Sequence, residues 1–75
     1  MGYYTDEEIG LIIRKKRQNR NLTQRELGEM IGVQPAAVQK WESGAVKNIK
    51  RSVLRQLSIT LNISPAVLIG IKEED

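Results

Sequence analysis

The 75-residue chain contains no cysteine and no histidine. The first absence excludes disulfides and thiolate metal sites; the second removes the commonest metal ligand and the usual general base. The remaining Ser, Thr, Tyr and carboxylate side chains show no nucleophile or acid–base constellation, so the sequence predicts no enzyme, no metal and no cofactor. Long apolar runs are missing as well: the longest, such as Gly10 to Ile13 and Ala66 to Ile71, are far too short to cross a bilayer. The N-terminal stretch MGYYTDEE is acidic where a signal peptide is basic. A soluble, cytoplasmic protein without a membrane partner or an evident small-molecule ligand is expected. The length allows one domain, residues 1–75, with a small core.

What the chain does have is an uneven charge distribution. The formal net charge is +3, but six of the nine acids lie at the ends, as Asp6, Glu7, Glu8, Glu73, Glu74 and Asp75. Residues 9–72 carry all twelve basic residues against three acids, a net +9. Such an excess points to a polyanionic partner. Nucleic acid fits better than a membrane surface, which calls for bulky apolar residues opposite the basic face.

Apolar residues recur at intervals of three and four, and no alternating β-branched run is long enough for a strand, so the chain reads as all-α. Thr5 with Glu8 three residues later is a capping box, which starts a first helix over about 6–20 with an inward stripe of Ile9, Ile12, Ile13 and the stem of Lys16. Asn21 suits the left-handed turn that ends it. Leu22 packs inward, and Thr23 with Glu26 repeats the capping box before a short second helix, about 24–31. On that helix Leu27, Gly28 and Ile31 share a side, and a glycine there predicts close approach of another helix. Gly32 supplies a tight turn, Val33 plugs the core, and Pro35 fits the first turn of a third helix, about 35–43. Two short helices joined by a glycine turn are the helix-turn-helix signal. A basic connection, AVKNIKR, leads to a fourth helix over about 51–61 with its stripe at Val53, Leu54, Leu57 and Leu61; Asn62 stops it. Ser64 and Pro65 open a fifth, about 65–70.

On the third helix Ala36, Gln39, Lys40 and Ser43 fall on one face, and Ala37, Val38, Trp41 and Glu42 on the other. Trp41, the only tryptophan, reads with Val38 as the anchor to the core. Glu42 on the inward half needs a partner, and an arginine of the first helix is the nearest source.

The run LTQRELGEMIGVQPAAVQKWESG resembles the helix-turn-helix of the lambda-repressor and Cro family, also called the XRE family. It matches the family pattern at Leu22, Thr23, Gln24, Leu27, Gly32, Val33, Trp41, Glu42 and Gly44, with Val38 for an isoleucine. It departs at Gly28, where alanine is usual, and at Gln34 and Gln39, where serine is common; AVKNIKRS lacks the proline often found before the fourth helix. The resemblance runs from about Ile9 to Gly70.

The resemblance implies a compact five-helix lambda-repressor-like DNA-binding domain, with the helix-turn-helix at the second and third helices. It implies double-stranded DNA as partner, the third helix in the major groove, and commonly a homodimer on near-palindromic sites. By position it pairs Arg17 with Glu42 and assigns base contacts to Gln34, Pro35, Ala36, Gln39 and Lys40. Glutamine suits adenine N6 and N7, lysine suits guanine O6 or N7, and the proline and alanine suit a thymine methyl. Phosphate contacts fall to Gln24 and Ser43 and to Lys47, Asn48, Lys50 and Arg51 in the basic connection. Apolar residues off the core stripes, Ile59, Val67 and Ile71, are the candidates for a dimer contact. A transcriptional regulator, a repressor occupying its operator, is the function implied, and small size and family point to a phage or prophage origin. The alternative is a protein-interaction module, such as an antitoxin or regulatory subunit, on the same fold.

Overall fold

Thr5 and Thr23 set the first two helices of the computed structural model, which describes residues 2–73. Each threonine hydroxyl accepts from the backbone N–H three residues on, at 3.1 Å from Glu8 and 3.0 Å from Glu26. Each of those glutamates accepts in return from the threonine N–H at 2.8 Å. Both capping boxes are therefore closed, and the first-turn acids Asp6, Glu7 and Glu8 oppose the helix dipole.

The helices are α1 (Asp6–Asn19), α2 (Gln24–Ile31), α3 (Pro35–Glu42), α4 (Arg51–Leu61) and α5 (Pro65–Leu68). Proline occupies the first turn of α3 and α5, where a missing N–H costs nothing. Gly32, at φ 79°, closes α2, and Asn62, at φ 54°, closes α4, both in the left-handed conformation that a cap requires. The ends of α1, α3 and α5 fall short of the sequence estimate. Arg20 and Ser43 are capping residues, and at α5 Ile69 is the cap while Gly70 turns to φ 93°, outside any right-handed helix.

Ile9, Ile13, Leu27, Val38, Trp41, Leu57, Leu61 and Leu68 meet in one core drawn from all five helices. Two more members, Val46 and Ile63, come from connections. The radius of gyration, 11.3 Å, equals the value of about 11 Å for a compact chain of this length. Two expectations about helix faces are corrected. Lys16 is exposed, and Arg17 takes the inward place, because it continues the four-residue step of Ile9 and Ile13. Gly28 does face a close neighbour, but that neighbour is the turn: a Cβ there would lie 2.6 Å from the Val33 carbonyl oxygen.

Residues 2–4 and 70–72 meet beside α5. Tyr3 and Ile71 form an antiparallel bridge, with the Tyr4 N–H donating to the Gly70 carbonyl at 2.7 Å and Lys72 to that of Gly2 at 3.0 Å.

Candidate nucleic-acid interface

The turn between α2 and α3 fixes the orientation of α3. Val33 N–H donates to the Gly28 carbonyl at 2.8 Å, and the two helices pack directly on each other. On the inner side Val38 is fully buried and Trp41 nearly so, while Ala36, Gln39, Lys40 and Ser43 are exposed on the outer side.

A second constraint ties α3 to α1. Gly10 lies on the buried side of α1, where a Cβ would come within 2.6 Å of the Trp41 carbonyl oxygen and 2.8 Å of that of Glu42. The missing side chain lets the backbones touch at the end of α3. Nearby, Arg17 donates through Nε to Glu42 Oε2 at 2.6 Å, through Nη2 to Oε1 at 3.0 Å, and through Nη1 to the Leu22 carbonyl at 2.7 Å. Gln24 Nε2 adds a bond to Glu42 Oε1 at 3.2 Å. The side chains of Arg17 and Glu42 are 10% and 5% exposed, so the pair is nearly dry. Its hydrogen bonds to Glu42 raise the Arg17 pKa above the usual arginine value, against the opposing effect of burial.

Two recesses flank the outer face of α3. On one side an open cleft of ≈ 640 Å³ brings together Gln34, Ala36 and Lys40 with Lys47 and Asn48 from the connection, over the edge of Trp41. Lys47 lies 3.8 Å from Asp6, its side chain 82% exposed. On the other side a recess of ≈ 260 Å³ gathers Gln24, Gln39 and Ser43 around the Arg17–Glu42 pair, with Arg14 on its rim. Pro35 sits at the front of α3 beside Arg25 and Glu29. Lys50 is exposed at the start of α4. Arg51 stands apart from both recesses, in the groove between α4 and α5 with Arg55, Ile59 and Ile69.

The three apolar residues off the stripes have different surroundings. Ile59 is exposed, Val67 is half-buried against the core, and Ile71 is half-buried in its bridge to Tyr3. Ile69, which the sequence reading did not single out, is exposed on the same groove as Ile59. Gly10 is marked in the sequence only by its place one step from Ile9 and three from Ile13 on the inward side, and nothing local distinguishes Arg14 from its basic neighbours Lys15, Lys16 and Arg17. Among the described residues no group of acids is placed to hold a metal ion, and no helix is long and apolar enough to cross a membrane.

Comparison with known proteins gives a consistent picture. The sequence profile of the helix-turn-helix family matches residues 13–68. The uncharacterized HTH-type transcriptional regulator y4wC of Sinorhizobium fredii is 39% identical over 61 residues, 81% of this chain. The match takes in 42% of that relative, so the chain spans less than half the length of the curated relatives it matches. Among solved structures, the P22 c2 repressor in complex with a synthetic operator superposes with a TM-score of 0.72 at 33% identity, covering 80% of this chain and 89% of that one. Hydroxypropylphosphonic acid epoxidase from S. wedmorenis superposes with a TM-score of 0.75 at 19% identity, over 85% of this chain and 34% of its own. That likeness extends to the fold alone.

Proposed function

The chain belongs to the helix-turn-helix family, in its lambda-repressor and Cro branch, and from that premise we propose that it binds double-stranded DNA sequence-specifically as a transcriptional repressor. The observation that carries this reading is the outer face of α3. Its front is small and flat at Pro35 and Ala36, its donors Gln39 and Lys40 are exposed, and its far end is held to α1 through Arg17 and Glu42. A rigid helix with few bulky groups at its front enters a major groove deeply, and its side chains then reach base edges.

In this reading Gln34, Pro35, Ala36, Gln39 and Lys40 meet bases. Gln34 and Gln39 pair with adenine, Lys40 with guanine, and Pro35 and Ala36 lie against thymine methyls. Gln24, Ser43, Lys47, Asn48, Lys50 and Arg51 bind phosphates and set the register without reading sequence. One recognition helix spans only a few base pairs, so useful specificity requires two copies on half-sites about one DNA turn apart, on a near-palindromic operator. Of Ile59, Val67 and Ile71, Ile59 is the one exposed, and it supplies the main apolar contact between copies, with Val67 and Ile71 contributing their half-exposed surfaces.

Selection of bound duplexes from random DNA tests the proposal. A two-fold symmetric consensus supports a dimeric operator-binding protein. Absence of enrichment points to a protein-interaction module on the same fold.

A further inference from the structure

We propose that Arg14 of α1 is a phosphate contact, the charged member of a seat that it forms with Gln24 and Ser43 on the flank of α3 opposite Lys47 and Asn48. The proposal rests on the DNA-binding reading and adds a residue to it.

A helix lying in a major groove about 12 Å wide has a phosphate strand along each side. Each flank of α3 should therefore offer cations or donors to its own strand. The flank at Ala36, Lys40 and Gly44 has Lys47 and Asn48. The other, at Gln39 and Ser43, has Gln24, which is neutral, and a carboxylate, Glu42. Left alone, this second flank would repel a phosphate.

Two arginines change that balance. Arg17 binds Glu42 through two nitrogens and cancels its charge inside the fold. Arg14, one turn earlier on the same helix, lines the recess and is exposed. Neither ion pair among the described residues involves it, since those are Arg17 with Glu42 and Lys47 with Asp6. With the pair neutral, the recess carries the single positive charge of Arg14. Gln24 contributes an oriented donor: its Nε2 is held at 3.2 Å from Glu42 Oε1, and its second N–H is left for an anion. A guanidinium beside an oriented amide is a pair of donors matched to phosphate oxygens. The Ser43 hydroxyl, which donates to the Lys40 carbonyl at 2.8 Å, borders the seat and joins it by exchanging that bond for one to phosphate.

The neighbouring cations on α1 supply the control. Lys15 is exposed but does not line the recess, being turned 100° around the helix from Arg14. Arg20 is engaged elsewhere, donating to the Thr60 carbonyl on α4. If α1 acts only through overall charge, Arg14 and Lys15 are equivalent; if the seat exists, they are not.

The experiment is fluorescence anisotropy across a salt series, using the duplex that the protein itself enriches from random DNA and a scrambled duplex of the same length. Arg14→Ala should flatten the slope of log K against log salt by about one, the loss of roughly one phosphate contact. It should weaken binding to both duplexes by a similar factor, about 5- to 10-fold at low salt as an order of magnitude. Lys15→Ala should leave the slope near that of the unsubstituted protein. A methylphosphonate that removes the Arg14→Ala effect should lie at the same position as one that removes the Gln24→Ala effect. An unchanged slope for Arg14→Ala in a folded protein, or equal changes for Arg14→Ala and Lys15→Ala, would overturn the seat while leaving DNA binding intact. No salt-dependent binding by the unsubstituted protein would overturn both readings together.

Discussion

Arg17 Nε and Glu42 Oε2 lie 2.6 Å apart with both side chains nearly excluded from water, which fastens the last turn of α1 to the last residue of α3. The bond is made between residues 25 apart in sequence, and Gln24 and the Leu22 carbonyl complete the set of partners. The pair thus holds the exposed face of α3 in a fixed orientation relative to the rest of the molecule.

Glu42→Ala leaves the Arg17 guanidinium at the same nearly dry position with the Leu22 carbonyl as its remaining acceptor. The expected loss of stability is about 2 to 3 kcal/mol, somewhat below the cost for a pair in a deep interior, because the site borders an open recess. Chemical denaturation measures it directly. A change within roughly 0.5 kcal/mol, the usual range for a surface substitution, would show that the pair carries no structural weight.

Gly10→Ala tests the contact of α1 with the end of α3. Helix propensity alone favours alanine by about 1 kcal/mol. The added Cβ would, however, meet backbone oxygens of Trp41 and Glu42 at 2.6 Å and 2.8 Å, and a backbone cannot swing aside as a side chain can. Net destabilisation of about 1 to 3 kcal/mol is predicted. A rise in melting temperature would mean that the helices do not approach so closely.

These two contacts show where the sequence was legible and where it was not. Capping boxes, the Gly32 turn and Pro35 are local signals, and the helix starts at Thr5, Thr23, Gln34 and Ser64 follow from them. The inward half of α3 followed from periodicity, and Glu42 on it called for an arginine. Other features depend on what lies opposite in space. Val46 and Ile63 belong to the core although they sit in connections, where no periodicity marks them. Lys16 and Arg17 are adjacent cations, and only the four-residue step from Ile13 tells which one turns inward. The close neighbour of Gly28 proved to be a carbonyl of the turn, which no helix-face argument foresees. Arg14 acquires its place in a recess from Gln24 and Ser43 on two other elements.

Lys40 and Lys50 should respond differently when replaced. Lys40→Ala is predicted to relax preference at one position of the selected site and to cost about 1 to 3 kcal/mol on that site alone. Lys50→Ala should weaken selected and scrambled DNA alike and flatten the salt slope by about one. Anisotropy on both duplexes separates the outcomes. Equal losses on the two for Lys40→Ala would place it on a phosphate.

The capping box at α1 has a signature in acid. The Thr5 backbone N–H, followed by the Thr5 hydroxyl, favours the Glu8 carboxylate and lowers its pKa below the ordinary 4.5. A depressed carboxylate stabilises the fold above its unfolded-chain pKa and loses that contribution as pH falls through the lowered folded value. An NMR titration of the Glu8 side-chain carbonyl carbon should give a midpoint below 4.5. A midpoint at or above that value would mean that the box is open in solution.

The most direct test of the account is the ratio of affinities for the duplex selected by this protein and a scrambled duplex, measured by anisotropy near physiological salt. If α3 reads bases, the selected duplex is bound at least about a thousandfold more tightly, and the selected sequence is two-fold symmetric. Equal and weak binding to both, vanishing as salt rises, would contradict it: the molecule would then touch phosphates without reading sequence.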